Sequence, residues 1–210
     1  MEEKYSVIDM KNWKRAGHCA VFKDYVLPQF GVTVELDITH FSRIMKESGR
    51  PFTFAFIHAV TKCANEIEEF RYRFLNGNVV LYKQINAAFR SMNEETGLFK
   101  IVHVEMTDNA DDFIKLAKET AENQKEYFPD MQGNDFFQFS ALPWLPYVHI
   151  APTYIGNNEK AAPMFNWGKF AKKDGKILLP FSVHVHHSFV DGMHISKLVA
   201  NLQQYINEYK

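Results

Sequence analysis

The chain has 210 residues, enough for one domain that buries roughly 70 % of the surface its unfolded form exposes, so its core needs no covalent staples. With 46 % hydrophobic residues, 23 % charged residues and 19 phenylalanines, it has a globular composition and not a disordered one. Lys+Arg 24 against Asp+Glu 25 leaves a net charge of −1, which excludes the basic footprint of a nucleic-acid binder or of a protein held on an anionic membrane surface.

Cys19 and Cys63 stand far apart and in no CxxC pairing, so neither a disulfide framework nor a cysteine-based zinc site is expected, in keeping with a reducing cytosol. The opening MEEKYSVIDMKNWKR is acidic and polar, without a signal-peptide pattern, and no apolar run approaches about 20 residues. A cytoplasmic location is therefore expected. No internal repeat or Pro/Ser-rich linker divides residues 1–210, which read as a single domain.

Residues 31–37 alternate Val32, Val34 and Leu36 against polar neighbours, the pattern of a half-buried strand. A helix is predicted from about Thr39, with Phe41, Ile44 and Met45 on one stripe and Gly49 and Arg50-Pro51 as its stop. Residues 53–69 carry Phe56, Val60, Cys63 and Ile67 at helical spacing, which predicts a buried helix. Asn76-Gly77-Asn78 is a turn signal before a strand at 79–82, and a second strand at 87–92 is expected to pair with it. Alternation over 98–106 predicts another strand. Asp108 is expected to cap an amphipathic helix running to about Glu126, with Phe113, Leu116, Ala117 and Ala121 inward.

Short strands are predicted at 136–142 and 147–150, around Pro143 and Pro146, and a strong one at 176–186. A terminal helix from Gly192 places Ile195, Leu198, Val199, Leu202 and Ile206 on one stripe. Strands and helices are interspersed without strict alternation, which predicts an α+β fold with helices packed on one large mixed β-sheet.

The uneven feature is histidine: four of nine, His184, His186, His187 and His194, fall within eleven residues. A regular strand over KILLPFSVHVHH would put Ile177, Leu179, Phe181, Val183, Val185 and His187 on one face, and Ser182, His184 and His186 on the other. His187 would then close an apolar row, where partial desolvation disfavours its cation and leaves a neutral base. Asp191-Gly192 would hold the following turn, although a simple turn after an edge histidine accounts for the same residues. His184 and His186, about 7 Å apart on one face, could share a zinc ion. No third ligand stands at a regular spacing and no HExxH supports it, so no metal is expected. His18, His40, His58, His103 and His149 are isolated and read as hydrogen-bonded core or surface residues.

His186-His187-Ser188-Phe189-Val190-Asp191-Gly192 resembles the HHxxxDG signature of the chloramphenicol acetyltransferase family, a motif shared with condensation domains and dihydrolipoyl acyltransferases. Three further segments sharpen the resemblance. Ser140-Ala141-Leu142-Pro143-Trp144 is similar to the family's SALPW-type segment. Ala162-Pro163 followed by Lys169 and Phe170 is similar to its AP…GKY stretch, and Trp13-Lys14-Arg15 with His18 to its WKRxxHF opening. Their order and separations agree across essentially the whole chain.

The resemblance implies a CoA-dependent acyltransferase fold, a homotrimer with sites between subunits, and acetyl-CoA as co-substrate. It implies His187 as general base and Ser140 as donor to the oxyanion. Asp191 would pair with Arg15 to fix the turn that aims His187. Phe22, Leu27 and Phe99 match apolar acceptor-pocket positions, and Asn166 stands where a family threonine holds a water. On the CoA side it implies Lys169, Phe170 as a stacking ring, and Arg50 beside Pro51, where the family has a lysine.

Several positions depart from the family. His184 stands where glutamine is usual and Met193 where an aromatic is usual. Gln29, Arg90, Pro152 and Tyr154 replace small, polar-neutral or aliphatic pocket residues. A guanidinium in an apolar pocket needs a partner or recruits an anionic group. The expected activity is O-acetylation of chloramphenicol or a similar small acceptor. The alternative is a scaffold or ligand-binding relative akin to a dihydrolipoyl acyltransferase core, although the sequence carries no lipoyl domain or Ala/Pro-rich linker.

Overall fold

Apolar periodicity and turn chemistry divide the chain into ten strands and five α-helices among the residues that the computed structural model describes, 3–129, 134–151, 153 and 162–210. The first half comprises β1 (Tyr5–Val7), α1 (Ala16–Lys23), β2 (Gln29–Asp37), α2 (Thr39–Ser48), α3 (Phe52–Asn65), a 3₁₀ turn (Glu68–Arg71), β3 (Tyr72–Leu75), β4 (Asn78–Tyr82) and β5 (Asn86–Met92). The second comprises β6 (Phe99–Val104), α4 (Ala110–Asn123), β7 (Phe136–Leu142), β8 (Met164–Gly168), β9 (Ala171–Lys173), β10 (Lys176–His186) and α5 (Gly192–Asn207). Among the described residues, no helix is long and apolar enough to cross a membrane.

The expected α+β architecture with a large mixed sheet is observed. Seven strands form that sheet in the order β2-β10-β8-β7-β5-β6, with β9 pairing β10 at its side. β5–β7 and β7–β8 are parallel and the other pairs antiparallel. β10 is its spine, paired with β2 from Leu178↔Asp37 to His186↔Gln29. The alternation read from the sequence decides its faces. Leu179, Phe181, Val183 and Val185 enter the core, where Phe181 meets Phe56 of α3 at 5.7 Å and Phe165 of β8 at 5.9 Å between ring centroids. Truncating a buried ring such as Phe56 to alanine costs about 3–5 kcal/mol by transfer and cavity terms.

The strand at 79–82 is present as β4, but its pairing with 87–92 is not. Asn76 and Gly77 both take positive φ, 50° and 76°, the twist of a two-residue hairpin. The chain therefore reverses at once, and β4 pairs with β3 on one side and β1 on the other in a separate three-stranded sheet. With both edges of β4 taken, β5 pairs with β6 and β7 instead. The buried Arg73 joins this small sheet to the start of β7 by donating to the carbonyls of Phe70, Tyr72, Asn134 and Phe136.

Three further boundaries differ from the sequence reading. The cap of α4 is Asn109, not Asp108, because the Asn109 side chain accepts from the amides of Asp111 and Asp112 at 2.8 and 3.2 Å. α3 stops at Asn65, whose side chain bonds both main-chain groups of Ile85 while also donating to Thr61 O within the helix, and the 3₁₀ turn follows. Residues 147–150 form no strand. That segment folds over the sheet instead: a Cβ on Gly168 would lie 2.8 Å from both the Leu145 carbonyl and the Tyr147 ring. Strands β1, β3, β8 and β9 and helix α1 had no strong periodic signal.

Candidate active site

His187 stands one residue beyond β10. Its amide still donates to Pro28 O at 2.9 Å, so the register with the chain leading into β2 continues through it. The imidazole therefore keeps the face of Val185, and its partners are apolar rings: Phe22 of α1 stacks on it at 4.0 Å and Phe30 of β2 lies at 4.6 Å. Its Nδ1 lies 3.1 Å from Val190 O. A carbonyl can only accept, so this contact places the proton on Nδ1 and leaves the lone pair on Nε2. The geometry is that of an oriented, half-buried imidazole whose Nε2 is the atom left to accept a proton.

The turn that carries His187 is fixed from two sides. Ser188 N donates to His186 Nδ1 and Ser188 Oγ donates to Cys19 O, which ties the turn to α1. Arg15, immediately before α1, pairs with Asp191 at 3.0 Å and reaches the carbonyls of His187 and Ser188 at 3.4 Å each. Asp191 is also the N-cap of α5: it accepts from Met193 N, while its own amide donates to His194 Nδ1 in a capping box. Burial alone would raise the Asp191 pKa. The Arg15 hydrogen bond, the His194 ring and the Met193 amide outweigh it and hold the carboxyl below its ordinary value. His194 Nε2 in turn faces Glu69 at 3.4 Å.

Ser140 lies elsewhere in the same chain. On the sheet face away from α3, the register aligns Thr33, Ser182, Asn166 and Ser140 across β2, β10, β8 and β7. Arg90 of β5 comes next, one step beyond the pair Phe89↔Phe139, and stands opposite Ile101 of β6. This row is polar where the opposite face is aromatic. Thr33 and Ser182 share a hydrogen bond of 2.7 Å, Ser182 donates to Tyr147 OH at 3.2 Å, and Asn166 Nδ2 donates to Ser140 O at 3.4 Å. Asn166 Oδ1 is buried without a partner among the described residues.

Five residues of β10, about 16 Å, separate Ser182 from His187, and two strand spacings, about 10 Å, separate Ser182 from Ser140. His187 and Ser140 are therefore roughly 19 Å apart within one chain and face opposite sides of the sheet. The structure thus joins His187, Asp191, Arg15 and Phe22 in one cluster and Ser140 with Asn166 in another. Phe99 lies beside the second, with the Arg90 guanidinium over its ring at 5.9 Å. Leu27 and Phe170 are exposed, as is Lys169, whose amide donates to Leu145 O. Arg50 pairs with Asp111 at 2.7 Å and donates to Lys210 O. Gln29 pairs in register with His186, and Pro152 and Tyr154 lie outside the described residues.

Sequence reasoning missed Phe30, which the β2 alternation could have placed beside Val32. It also missed Val190 O, which no side-chain pattern reports. His184 and His186 are engaged one by one, not as a ligand pair. His184 packs so closely on Gly31 that a Cβ there would come within 2.3 Å of its Nδ1, and His186 accepts from Ser188 N. A concavity of about 770 Å³ is lined by Pro51, Phe54, Met92, Lys100 and Lys115, and by neither His187 nor Ser140.

The chain resembles known acyltransferases along its full length. It is 29 % identical over 216 residues to a chloramphenicol acetyltransferase of Klebsiella sp, covering 100 % of this chain and 99 % of the relative. A solved chloramphenicol acetyltransferase superimposes with a TM-score of 0.87 at 26 % identity, over 96 % of this chain and 99 % of the other. A probable dihydrolipoamide acetyltransferase from Listeria monocytogenes, at 18 % identity and a TM-score of 0.66 over 92 % of this chain and 89 % of that one, shares the fold. The profile of the chloramphenicol acetyltransferase family matches residues 3–203. The chain belongs to that family and is an acyltransferase.

Proposed function

We propose that this chain moves an acetyl group from acetyl-CoA to a hydroxyl of chloramphenicol or a similar small acceptor, as a homotrimer with its sites between subunits. The observation that carries the reading is the oriented imidazole. Nδ1 of His187 is committed to Val190 O, so Nε2 is the atom that takes a proton. The acceptor hydroxyl gives its proton to Nε2 as its oxygen attacks the thioester carbon. The carbonyl becomes an oxyanion, to which the Ser140 hydroxyl donates. The tetrahedral intermediate then collapses, the C–S bond breaks, and the CoA sulfur takes the proton back from Nε2.

His187 and Ser140 sit too far apart in one chain to share a reacting centre, which supports pairing His187 of one subunit with Ser140 of the next. Phe22, Leu27 and Phe99 would hold the apolar body of the acceptor, with Asn166 beside the intermediate. Exposed Lys169 and Phe170 and half-buried Arg50 would meet the CoA nucleotide, although Arg50 must share its guanidinium with Asp111. Asp191 and Arg15 hold the turn and carry no proton. The buried free cysteines Cys19 and Cys63 suit a cytoplasmic location.

A thiol-reagent assay of CoA release, with and without chloramphenicol, tests the reaction. Acceptor-dependent release supports it, and no release with any hydroxylated acceptor from folded protein refutes it. Co-expressing His187→Ala with Ser140→Ala tests the shared site: random trimers leave about one site in four with both groups intact, so roughly a quarter of the activity returns. No recovery, or a cage-sized particle in size exclusion, refutes the trimer.

A further inference from the structure

Arg90 is the cation of the polar row. It stands next to Ser140 across β5 and β7, where neighbouring Cβ atoms lie about 5 Å apart. Its guanidinium is half-buried, donates once, from Nη1 to Phe139 O at 3.3 Å, and lies over the Phe99 ring. Among the described residues no carboxylate pairs with it. Burial is the one cause that shifts its pKa, downward, with no acidic group contributing. Nε and Nη2 make no hydrogen bond among the described residues. A guanidinium has five N–H donors in a planar fork, and a free edge of this kind matches the two oxygens of a carboxylate. A partly desolvated cation without a counter-ion is costly until an anion joins it.

We propose that Arg90 makes the acceptor site selective for hydroxyl compounds that bear a carboxylate. The reaction centre is the one described above, so the proposal rests on that reading of Ser140 and acyl transfer. The carboxylate lies on the free edge of Arg90 while the hydroxyl reaches the Ser140 side of the row, and Phe99 takes an apolar group between them.

The test uses a matched pair, N-benzoylserine and its neutral amide, with acetyl-CoA and the full-length protein. The wild type favours the acid in kcat/KM by about ten- to hundred-fold, the usual value of a hydrogen bond to a charged group. Arg90→Gln keeps a donor for Phe139 O and removes the charge. It brings the ratio to about one, chiefly through KM, while turnover of the amide persists. Arg90→Lys keeps part of the preference. Equal use of acid and amide by the wild type, or a preference that survives in Arg90→Gln, overturns the proposal. Calorimetric titration of the same pair without acetyl-CoA separates the two readings. Acid binding that Arg90→Gln abolishes, with no CoA release from any acceptor, sustains the anion site and refutes acyl transfer. CoA release with neutral acceptors at undiminished efficiency does the reverse.

Discussion

Replacing Asp191 by alanine removes two things at once: the N-cap of α5 and the partner of Arg15. Losing an N-cap costs about 1 kcal/mol. A hydrogen bond between charged groups is worth about 1.5–3 kcal/mol, and the lower part of that range applies because the Asp191 side chain is 35 % exposed. The sum is about 2–3 kcal/mol, a fall of about 5–10 °C in melting temperature for a chain of this size. Arg15→Ala loses the same pair together with the contacts to the carbonyls of His187 and Ser188, so it also loosens the turn that carries His187.

The assay is thermal melting at fixed protein concentration beside kcat, on wild type, both single variants and the double variant. The double variant should lose less than the sum of the singles, because the pair is broken only once. Asp191→Asn keeps a cap and isolates the charge. The Asp191 pKa is lower folded than unfolded, so its ionic contribution is complete above about pH 4 and is lost as the pH falls through the lowered value. Wild type and Asp191→Asn therefore converge in acid. Equal melting temperatures for wild type, Asp191→Ala and Arg15→Ala would refute this account of the turn.

Burial, with His149 adding to it, holds the His184 pKa down to about 4, against about 6.5 unfolded. Below pH 6.5 the unfolded chain binds a proton that folded His184 refuses, so this group removes about 1.4 kcal/mol of stability per pH unit down to about 4 and nothing above 6.5. Urea denaturation of His184→Gln should show a shallower acid slope, the remainder coming from His58 and His103, which burial also lowers; an unchanged slope contradicts the assignment. Gly31→Ala drives a methyl into the His184 ring and should cost about 1–3 kcal/mol, and far less in a His184→Ala background. Equal cost in both backgrounds would show that the contact is relieved elsewhere. His187→Ala should lower kcat by about 10²–10⁴ and Ser140→Ala by about 10²–10³ with little change in melting temperature, measured as CoA release; near-wild-type turnover in either removes that residue from the chemistry.

Much of this protein is local and therefore written in the chain. The alternation of β10 separates the core row from Ser182, His184 and His186, the stripe of α5 fixes which side it buries, and Gly49 and Gly192 mark where helices end and begin. The family motifs name His187, Ser140, Asp191 and Arg15. What the sequence misjudged was non-local or set by single hydrogen bonds: the partner of β4, the Asn109 cap, and the segment 147–150 laid across the sheet. Strand partners depend on which edges remain open once the chain has folded, and no period in the sequence records that. Tertiary structure alone decided that Nδ1 of His187 meets Val190 O, that Arg90 stands beside Ser140, and that His187 and Ser140 lie on opposite faces. Each of these joins residues brought together by register and packing, while the periodicities of strand and helix report only what a residue shares with its near neighbours in the chain.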